Sequence, residues 1–113
     1  MRLAIVILNF RTPDLTINCL ASLAGQVVVD CDQVIVVDND SGDGSADRIE
    51  SEIERRGWQD WVSVRRSPSN DGFAAGNNLA LQETEAEWYM LLNSDTIVRP
   101  GTVAGLLAAG EQR

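Results

Sequence analysis

The fold is decided by an apolar run near the start of the chain, Leu3-Ala4-Ile5-Val6-Ile7-Leu8, which ends at the polar residue Asn9. Three further apolar runs follow at similar intervals: Val34–Val37, Val62–Val64 and Trp88–Leu92. The first, second and fourth runs are continuous rather than alternating, which is typical of parallel strands covered on both faces. The third run alternates and leads into Arg65 and Arg66, which predicts an edge strand.

Helical signals occupy the intervals between these runs. Thr12-Pro13-Asp14 supplies an N-cap, a proline in the first turn and an acidic residue, so a helix is predicted from Pro13 to Ala24. Its expected buried face comprises Leu15, Cys19 and Leu23. Two later helices are predicted from about Gly72 to Thr84 and from Thr102 to Ala109.

Another helix is predicted to begin with Ser45 as its cap and to stop at Gly57. The spacing of its side chains predicts an apolar stripe and one i,i+4 ion pair. These are Ala46, Ile49 and Ile53 for the stripe, and Glu52 with Arg56 for the pair.

Strands and helices therefore alternate along the whole chain. This order predicts an α/β fold, a Rossmann-like three-layer sandwich with a mostly parallel sheet, formed by residues 1–113 as one domain. The last predicted helix is apolar and needs a surface to pack on. We therefore expect the chain to be the N-terminal part of a larger domain.

The composition excludes several kinds of chemistry. The formal net charge is -8, which argues against nucleic acid or an anionic membrane surface as the main partner. All the basic side chains are arginines, and neither lysine nor histidine occurs. The chain therefore lacks a P-loop lysine, a Schiff-base lysine, a Ser-His or Cys-His pair and a histidine metal site. Carboxylates, amides, hydroxyls, arginine and a cation bound by oxygen remain.

Two features predict where the protein resides. Cys19 and Cys31 are too far apart for a C-x-x-C motif, and we expect both to be reduced, buried thiols. The opening apolar run is too short for a signal peptide or a membrane span. A soluble, cytoplasmic protein is expected, with a peripheral position at the inner face of the membrane as the alternative in a longer chain.

Ligands of open parallel sheets bind beyond the carboxyl ends of the strands, so the residues after each apolar run are the candidates for a site. Asp38 follows the second run and is placed to accept a hydrogen bond from a ring N–H or a hydroxyl of a nucleoside. The loop from Ser41 to Ser45 is interpreted as a turn and a helix cap. Because a G-x-G-x-x-G fingerprint is missing, classical NAD binding is not expected.

Two later segments carry further candidates. In Asn70–Asn78, Gly76 would let a helix approach another backbone or a ligand, while Asn70 or Asn77 orders the donor loop. The alternative is a cap at Asn70 and a core hydrogen bond at Asn77. Asn93-Ser94-Asp95 is either a turn or a site for Mg²⁺ or Mn²⁺ against a diphosphate. Its position after the most apolar run favours the metal site, with Asp95 desolvated on one side.

At these residues the chain resembles family 2 of the nucleotide-sugar glycosyltransferases, which have the GT-A fold, and within it the rhamnosyltransferase-like members. The resemblance implies that Asp38 binds the base, that Asn9 and Arg11 line the same pocket, and that Asp95 is the metal ligand. Asn70, Gly76, Asn77 and Asn93 are the other nucleotide-sugar-binding residues that it implies. The matching segments are Ile5–Thr12, Val34–Ser45, Asn70–Asn78 and Leu91–Thr96 with Pro100.

The resemblance further implies inverting sugar transfer in polysaccharide biosynthesis, from a nucleotide-diphosphate sugar to a hydroxyl of a glycan or lipid-linked acceptor. In the family the general base is an Asp or Glu in the second half of the domain, so none is assigned in this chain. A non-catalytic nucleotide-binding module is the alternative. A phosphoacceptor receiver domain would need a lysine, which is absent. Self-association is expected through the last helix and an edge of the sheet.

Overall fold

A computed structural model describes residues 2–39, 41–67, 78, 80–82 and 84–111 of the chain. Within them four strands and three helices alternate almost as predicted. The elements are β1 Leu3–Asn9, α1 Pro13–Leu23, β2 Asp32–Asp38, α2 Ser45–Arg56, β3 Val62–Arg66, β4 Trp88–Asn93 and α3 Thr102–Glu111. Residues 78 and 80–82 are also helical, inside the helix predicted over 72–84, most of which lies outside the described residues.

The four strands form one parallel sheet in the order β3-β2-β1-β4. The predicted α/β class and parallel sheet are confirmed, and β3 is the edge strand that its arginines predicted. Apolar side chains cover both faces of β1 and β2. One core joins Ile5, Val36 and the helices α1, α2 and α3, whereas the other joins Val6 and Val37 to Ala80. The chain thus has helical residues on each side of its sheet, which gives three layers.

The strand β4 is less covered than its composition predicted. It lies at the second edge of the sheet, and Trp88, Tyr89 and Leu91 are each more than 40% exposed at 41%, 43% and 47%. An apolar run predicts burial but does not distinguish a central strand from an edge strand. In the described part of the chain no helix is long and apolar enough to cross a membrane.

The start of α1 differs from the prediction in two respects. Leu15 is 43% exposed rather than buried, because the first turn of the helix lies beyond the end of the sheet. Thr12 occupies the N-cap position, yet its side chain makes no capping hydrogen bond. Further along the helix, Cys19 and Leu23 are fully buried as predicted.

The helix α2 follows its predicted pattern except at its cap. Gly44, with φ of 82°, occupies the N-cap position, and Ser45 is the first helical residue. The Asp43 carboxylate accepts a hydrogen bond from the backbone N–H of Ser45 at 3.0 Å, and hydrogen bonding from the Ser45 side chain lowers the pKa of Asp43. The predicted apolar stripe is buried, the Glu52–Arg56 ion pair forms at 2.8 Å, and Gly57 ends the helix with φ of 72°.

The two cysteines differ in environment. Both are free thiols, but Cys19 is buried and Cys31 is exposed, so the prediction of two buried thiols is wrong for Cys31. Burial away from water and, to a smaller extent, the negative charge of Asp95 together raise the pKa of Cys19 to about 11. Cys31 lies in the turn before β2, where the chain passes over the surface.

A buried ion pair fixes the end of the sheet opposite the candidate site. Asp32 opens β2 and is fully buried; its two oxygens accept hydrogen bonds from Arg2 at 3.1 and 2.8 Å. The backbone N–H of Val28 donates to the same carboxylate at 2.8 Å. Because three N–H groups converge on it, the charge of Asp32 is satisfied inside the fold. The pair sets the start of β1 against β2.

We expect Asp32→Asn to lower the free energy of unfolding by about 3 kcal/mol, because the new amide N–H₂ group would face the N–H donors of Arg2 and Val28 and the buried negative charge that they bind would be lost. Urea denaturation followed by circular dichroism measures this change. The matched control is Asp30→Asn, two residues earlier in an exposed turn, which should unfold like the unmodified chain. Equal stabilities of the two variants would show that the ion pair contributes nothing.

Candidate functional site

The polar residues predicted at the strand ends lie side by side where the carboxyl ends of the parallel strands meet. In the parallel register Asn9 is opposite Asp38, Asp38 is opposite Arg66, and Asn93 is opposite Leu8. These residues are the last, or nearly the last, of their strands. The apolar runs end together, so the first polar side chains after them meet at the carboxyl edge.

Asp38 is the buried acid of this edge. It is only 7% exposed, because it ends a strand whose two faces are both covered. Its Oδ1 accepts hydrogen bonds from Asn9 Nδ2 at 2.9 Å and from the Ser41 hydroxyl at 2.6 Å. Within the described residues, its Oδ2 accepts one long hydrogen bond, from the backbone N–H of Ser41 at 3.4 Å. The second oxygen therefore keeps acceptor capacity for another donor.

Asn9 orients Asp38 through a hydrogen bond from the neighbouring strand β1. Its side chain is fully buried, and its amide nitrogen donates to Asp38 and, at 3.4 Å, to Ser41. Its amide oxygen accepts hydrogen bonds from Thr16 at 2.7 Å and from Thr12 at 3.3 Å. Because both ends of the amide are bound to protein groups, Asn9 orients the acid, and its contact with a ligand stays a prediction.

Arg11 sits at the rim of the same network in a left-handed conformation, with φ of 58°. Its backbone N–H donates to the Ser41 hydroxyl at 2.9 Å, and its Nε donates to the Ser41 carbonyl at 3.0 Å. These bonds offset a conformation that costs a non-glycine residue about 1 kcal/mol. The guanidinium lies 4.9 Å from the centre of the exposed Phe10 ring. The loop thus presents a cation beside Ser41, and this charge contributes to the lowered pKa of Asp43.

Two clefts open on either side of the end of β1. The Asp38 cleft has a volume of about 240 Å³. It is lined by Asp38, Gly42, Gly44, Ser45, Ala46, Asp47, Arg66 and Ser67. The Asp95 cleft has a volume of about 330 Å³. It is lined by Leu8, Phe10, Thr12, Leu15, Asn93, Ser94 and Asp95. Each is a shallow depression at the carboxyl edge of the sheet, and the loop after β1 separates them.

The metal-ligand candidate Asp95 is exposed, contrary to the expected one-sided desolvation, because β4 is an edge strand. Among the described residues no three acidic, cysteine or histidine side chains lie close enough to hold an ion. One carboxylate with a neighbouring amide, Asn93, nevertheless fits Mg²⁺ or Mn²⁺, which keep water and phosphate oxygens as their other ligands. These residues suit a metal that arrives with a diphosphate.

Three of the predicted site residues, Asn70, Gly76 and Asn77, lie outside the described residues, and their roles stay predictions. Conversely, the sequence interpretation missed Ser41, Thr12 and Thr16 as parts of the network. The sequence pattern predicts Ser41 only as part of a turn. Its position three residues after a strand-ending acid is a signal for it, since Ser hydroxyls commonly bond to a carboxylate or backbone three residues away.

A parallel sheet with an acid, amides and hydroxyls at its carboxyl edge defines the class of α/β proteins that bind ligands beyond the strand ends. The comparisons then give the family. The model of glycosyl transferase family 2 matches residues 4–112, and the chain belongs to this family. The predicted family resemblance is thereby confirmed.

Individual relatives agree with this assignment. The chain is 28% identical over 99 residues to a poly(ribitol-phosphate) beta-glucosyltransferase of Bacillus spizizenii, covering 87% of this chain and 15% of that protein. It superposes on S. aureus TarS 1-349 with a TM-score of 0.82 at 21% identity, covering 99% of this chain and 33% of that one. The chain therefore spans a third or less of these relatives.

A second solved structure has the same fold. Mannosyltransferase PcManGT from Pyrobaculum calidifontis, in complex with GDP-Man and Mn2+, superposes with a TM-score of 0.81 at 20% identity. The likeness covers 96% of this chain and 31% of that one. Together with TarS it confirms the predicted GT-A type of fold.

We expect Asn9→Asp to make stability depend on pH. The new carboxylate would lie about as close to Asp38 as the amide does, at 2.9 Å, so the folded pair would have a raised pKa. The variant is then as stable as its protonated form allows at a pH below about 4, the pKa of an aspartate in the unfolded chain. Its free energy of unfolding falls as the pH rises through the higher pKa of the pair in the folded protein. By pH 8 the loss should reach about 3 kcal/mol.

Urea denaturation at acidic and neutral pH measures this loss. The matched control is Asn18→Asp, which adds the same charge to an exposed position of α1. Its stability should follow the pH dependence of the unmodified chain. If Asn9→Asp did the same, the buried amide–acid contact would not exist in solution.

Proposed function

We propose that this chain is the donor-binding part of a glycosyltransferase. The reaction transfers a sugar from a nucleoside-diphosphate donor to a hydroxyl of a glycan or lipid-linked acceptor, with inversion at the anomeric carbon. The observation that carries the proposal is the buried Asp38 network beside a cleft that ends in Asp95. Membership of glycosyl transferase family 2 supports it, as do solved structures of the same fold with UDP-GlcNAc and with GDP-Man.

The base of the donor is proposed to bind in the Asp38 cleft. From the part of the chain that the structure describes, Oδ2 of Asp38 accepts one long hydrogen bond at 3.4 Å, and a second lone pair on this oxygen is proposed to accept an N–H of a nucleobase. A carboxylate already oriented by Asn9 and Ser41 loses little freedom when the base binds. Arg11 at the rim supplies positive charge between the base and the diphosphate.

The diphosphate is proposed to lie in the Asp95 cleft, with Asp95 and Asn93 beside it. Mg²⁺ or Mn²⁺ held there by Asp95 would stabilise the negative charge that develops on the departing diphosphate. The acceptor oxygen forms its bond to the anomeric carbon as the bond to the phosphate oxygen breaks. The acceptor hydroxyl gives its proton to a general base. We assign no residue of this chain to that base.

A non-catalytic nucleotide-binding module is the second candidate. The chain covers 15% of the curated relative and 33% of the TarS chain, so the activity of the whole protein stays a proposal in either case. Both candidates predict nucleotide binding, and they differ only in turnover. The cytoplasmic location, polysaccharide biosynthesis and the rhamnosyltransferase-like substrate stay predictions.

Calorimetric titration with UDP, dTDP and GDP, each with Mn²⁺ and with EDTA, tests the donor site. We expect one of these nucleotides to bind, and to bind more tightly with Mn²⁺. Asp38→Asn should weaken binding by about tenfold to a hundredfold with and without metal, because it removes a charged acceptor. Asp95→Asn should remove most of the gain from Mn²⁺ and leave the affinity in EDTA unchanged.

The control is Asp60→Asn, in an exposed turn before β3, which should bind like the unmodified chain. Circular dichroism of each variant shows that it is folded. Absence of binding by the folded, unmodified chain to any of the three nucleotides would contradict the proposed function.

Self-association is proposed through the open edge of β4, with a second copy as the occupant. Within the described residues β4 is an edge strand, and its exposed side chains Trp88, Tyr89 and Leu91 are uncharged despite the net charge of -8. Light scattering over a range of concentrations should show a dimer that Leu91→Lys converts to monomer. Val29→Lys, at an exposed position of a surface turn, is the control. A monomer at every concentration would contradict this proposal.

A further inference from the structure

We propose that Thr12 is a positioning residue that ties the Asp95 loop to the Asp38 network and so couples metal binding to nucleotide binding. The inference rests on the proposed function. Its basis is a continuous chain of hydrogen bonds across the carboxyl ends of three strands. This series of hydrogen bonds runs from Ser94 through Thr12 and Asn9 to Asp38.

The direction of these hydrogen bonds follows from which groups can donate a proton. The Thr12 hydroxyl has one proton, and it donates that proton to Asn9 Oδ1 at 3.3 Å. The contact of 2.9 Å between the hydroxyl oxygens of Thr12 and Ser94 then requires Ser94 to donate. Asn9 Nδ2 in turn donates to the Asp38 carboxylate at 2.9 Å. Every bond points toward the carboxylate, and bonds aligned in this way strengthen one another.

The position of Thr12 gives an independent reason. Threonine at an N-cap ordinarily accepts a hydrogen bond from the first turn of its helix, which stabilises the helix end. Thr12 occupies that position at α1, but its side chain makes no capping bond and instead contacts Asn9 and Ser94. The capping hydrogen bond that would stabilise α1 locally is absent, and the Thr12 side chain instead makes a tertiary contact with Ser94. Departures of this kind are expected at functional sites.

Ser94 connects Thr12 to Asp95, the metal-ligand candidate, because it contacts Thr12 and precedes Asp95 directly in the sequence. It is half-buried, whereas its neighbours Asn93 and Asp95 are exposed. The loop is next attached to α1 at Val98, whose backbone N–H donates to the Ser22 hydroxyl at 2.9 Å. The Thr12–Ser94 bond therefore fixes the part of the loop adjacent to Asp95. Without it, the Asp95 carboxylate would be less well ordered toward a metal and the diphosphate.

The test compares Thr12→Val and Ser94→Ala with the unmodified chain, using whichever of UDP, dTDP and GDP that chain binds. The measured quantity is the ratio of the Kd in EDTA to the Kd in Mn²⁺. We expect each variant to lower this ratio by about tenfold, with a smaller change of the Kd in EDTA. Thr12→Ser keeps the hydroxyl and should restore the ratio. The double variant should lose no more than either single one.

The matched control is Thr16→Val, which removes the other hydroxyl bound to Asn9 Oδ1, at 2.7 Å, without touching Ser94. It should weaken binding equally in Mn²⁺ and in EDTA, so the ratio should not change. Thermal unfolding confirms that every variant is folded. If Ser94→Ala and Thr12→Val bind with an unchanged ratio, the coupling proposal is overturned and the proposed function stands. If the unmodified chain binds no nucleotide, both are overturned.

Discussion

The structure depends on one constraint, which is the need to satisfy a carboxylate buried at the end of an apolar strand. Asp38 is 7% exposed and follows four valine and isoleucine residues that pack on both faces of the sheet. An unpaired charge in such a place would be strongly unfavourable. The surrounding polar groups, Asn9 and Ser41, answer that need, and Arg11 is held in its unusual conformation by the same serine.

The parallel register explains why these groups can reach Asp38. In a parallel sheet the carboxyl ends of neighbouring strands lie at one edge, and here Asn9 is directly opposite Asp38. The order β3-β2-β1-β4 then places the loop after β1 between the acid and the loop after β4. Only three residues separate β1 from α1, so Thr12 and Thr16 reach Asn9 and donate hydrogen bonds to its Oδ1, while its Nδ2 donates to Asp38. The site thus follows from strand order as much as from residue type.

Much of this could be predicted from the sequence, and the failures have identifiable causes. Continuous apolar runs and capping signals located the strands and helices within a few residues, because periodicity reports local structure directly. The exposure of Leu15 and of β4 could not be predicted, since both depend on where an element lies relative to the sheet edge. The position of Asp38 at the end of β2 could be predicted from the apolar run before it, whereas the contact of Ser41 with Asp38 depends on how the loop folds back. Asn9 was placed correctly at the edge, but its burial depends on the neighbouring threonines.

The distribution of charge gives a physical reason for metal use in the proposed function. The chain has a net charge of -8, so a nucleoside diphosphate approaches against repulsion. Arg66, in the Asp38 cleft, is paired with Asp47 and Glu50, and the hydrogen bonds that it donates to these carboxylates raise its pKa. Arg48 is paired with Asp14. Arg11 donates to the neutral carbonyl of Ser41, and its charge also acts on the Asp43 carboxylate, whose pKa it helps to lower. One such cation is little against a diphosphate, so a divalent ion brought by the donor would supply the positive charge that the paired arginines do not.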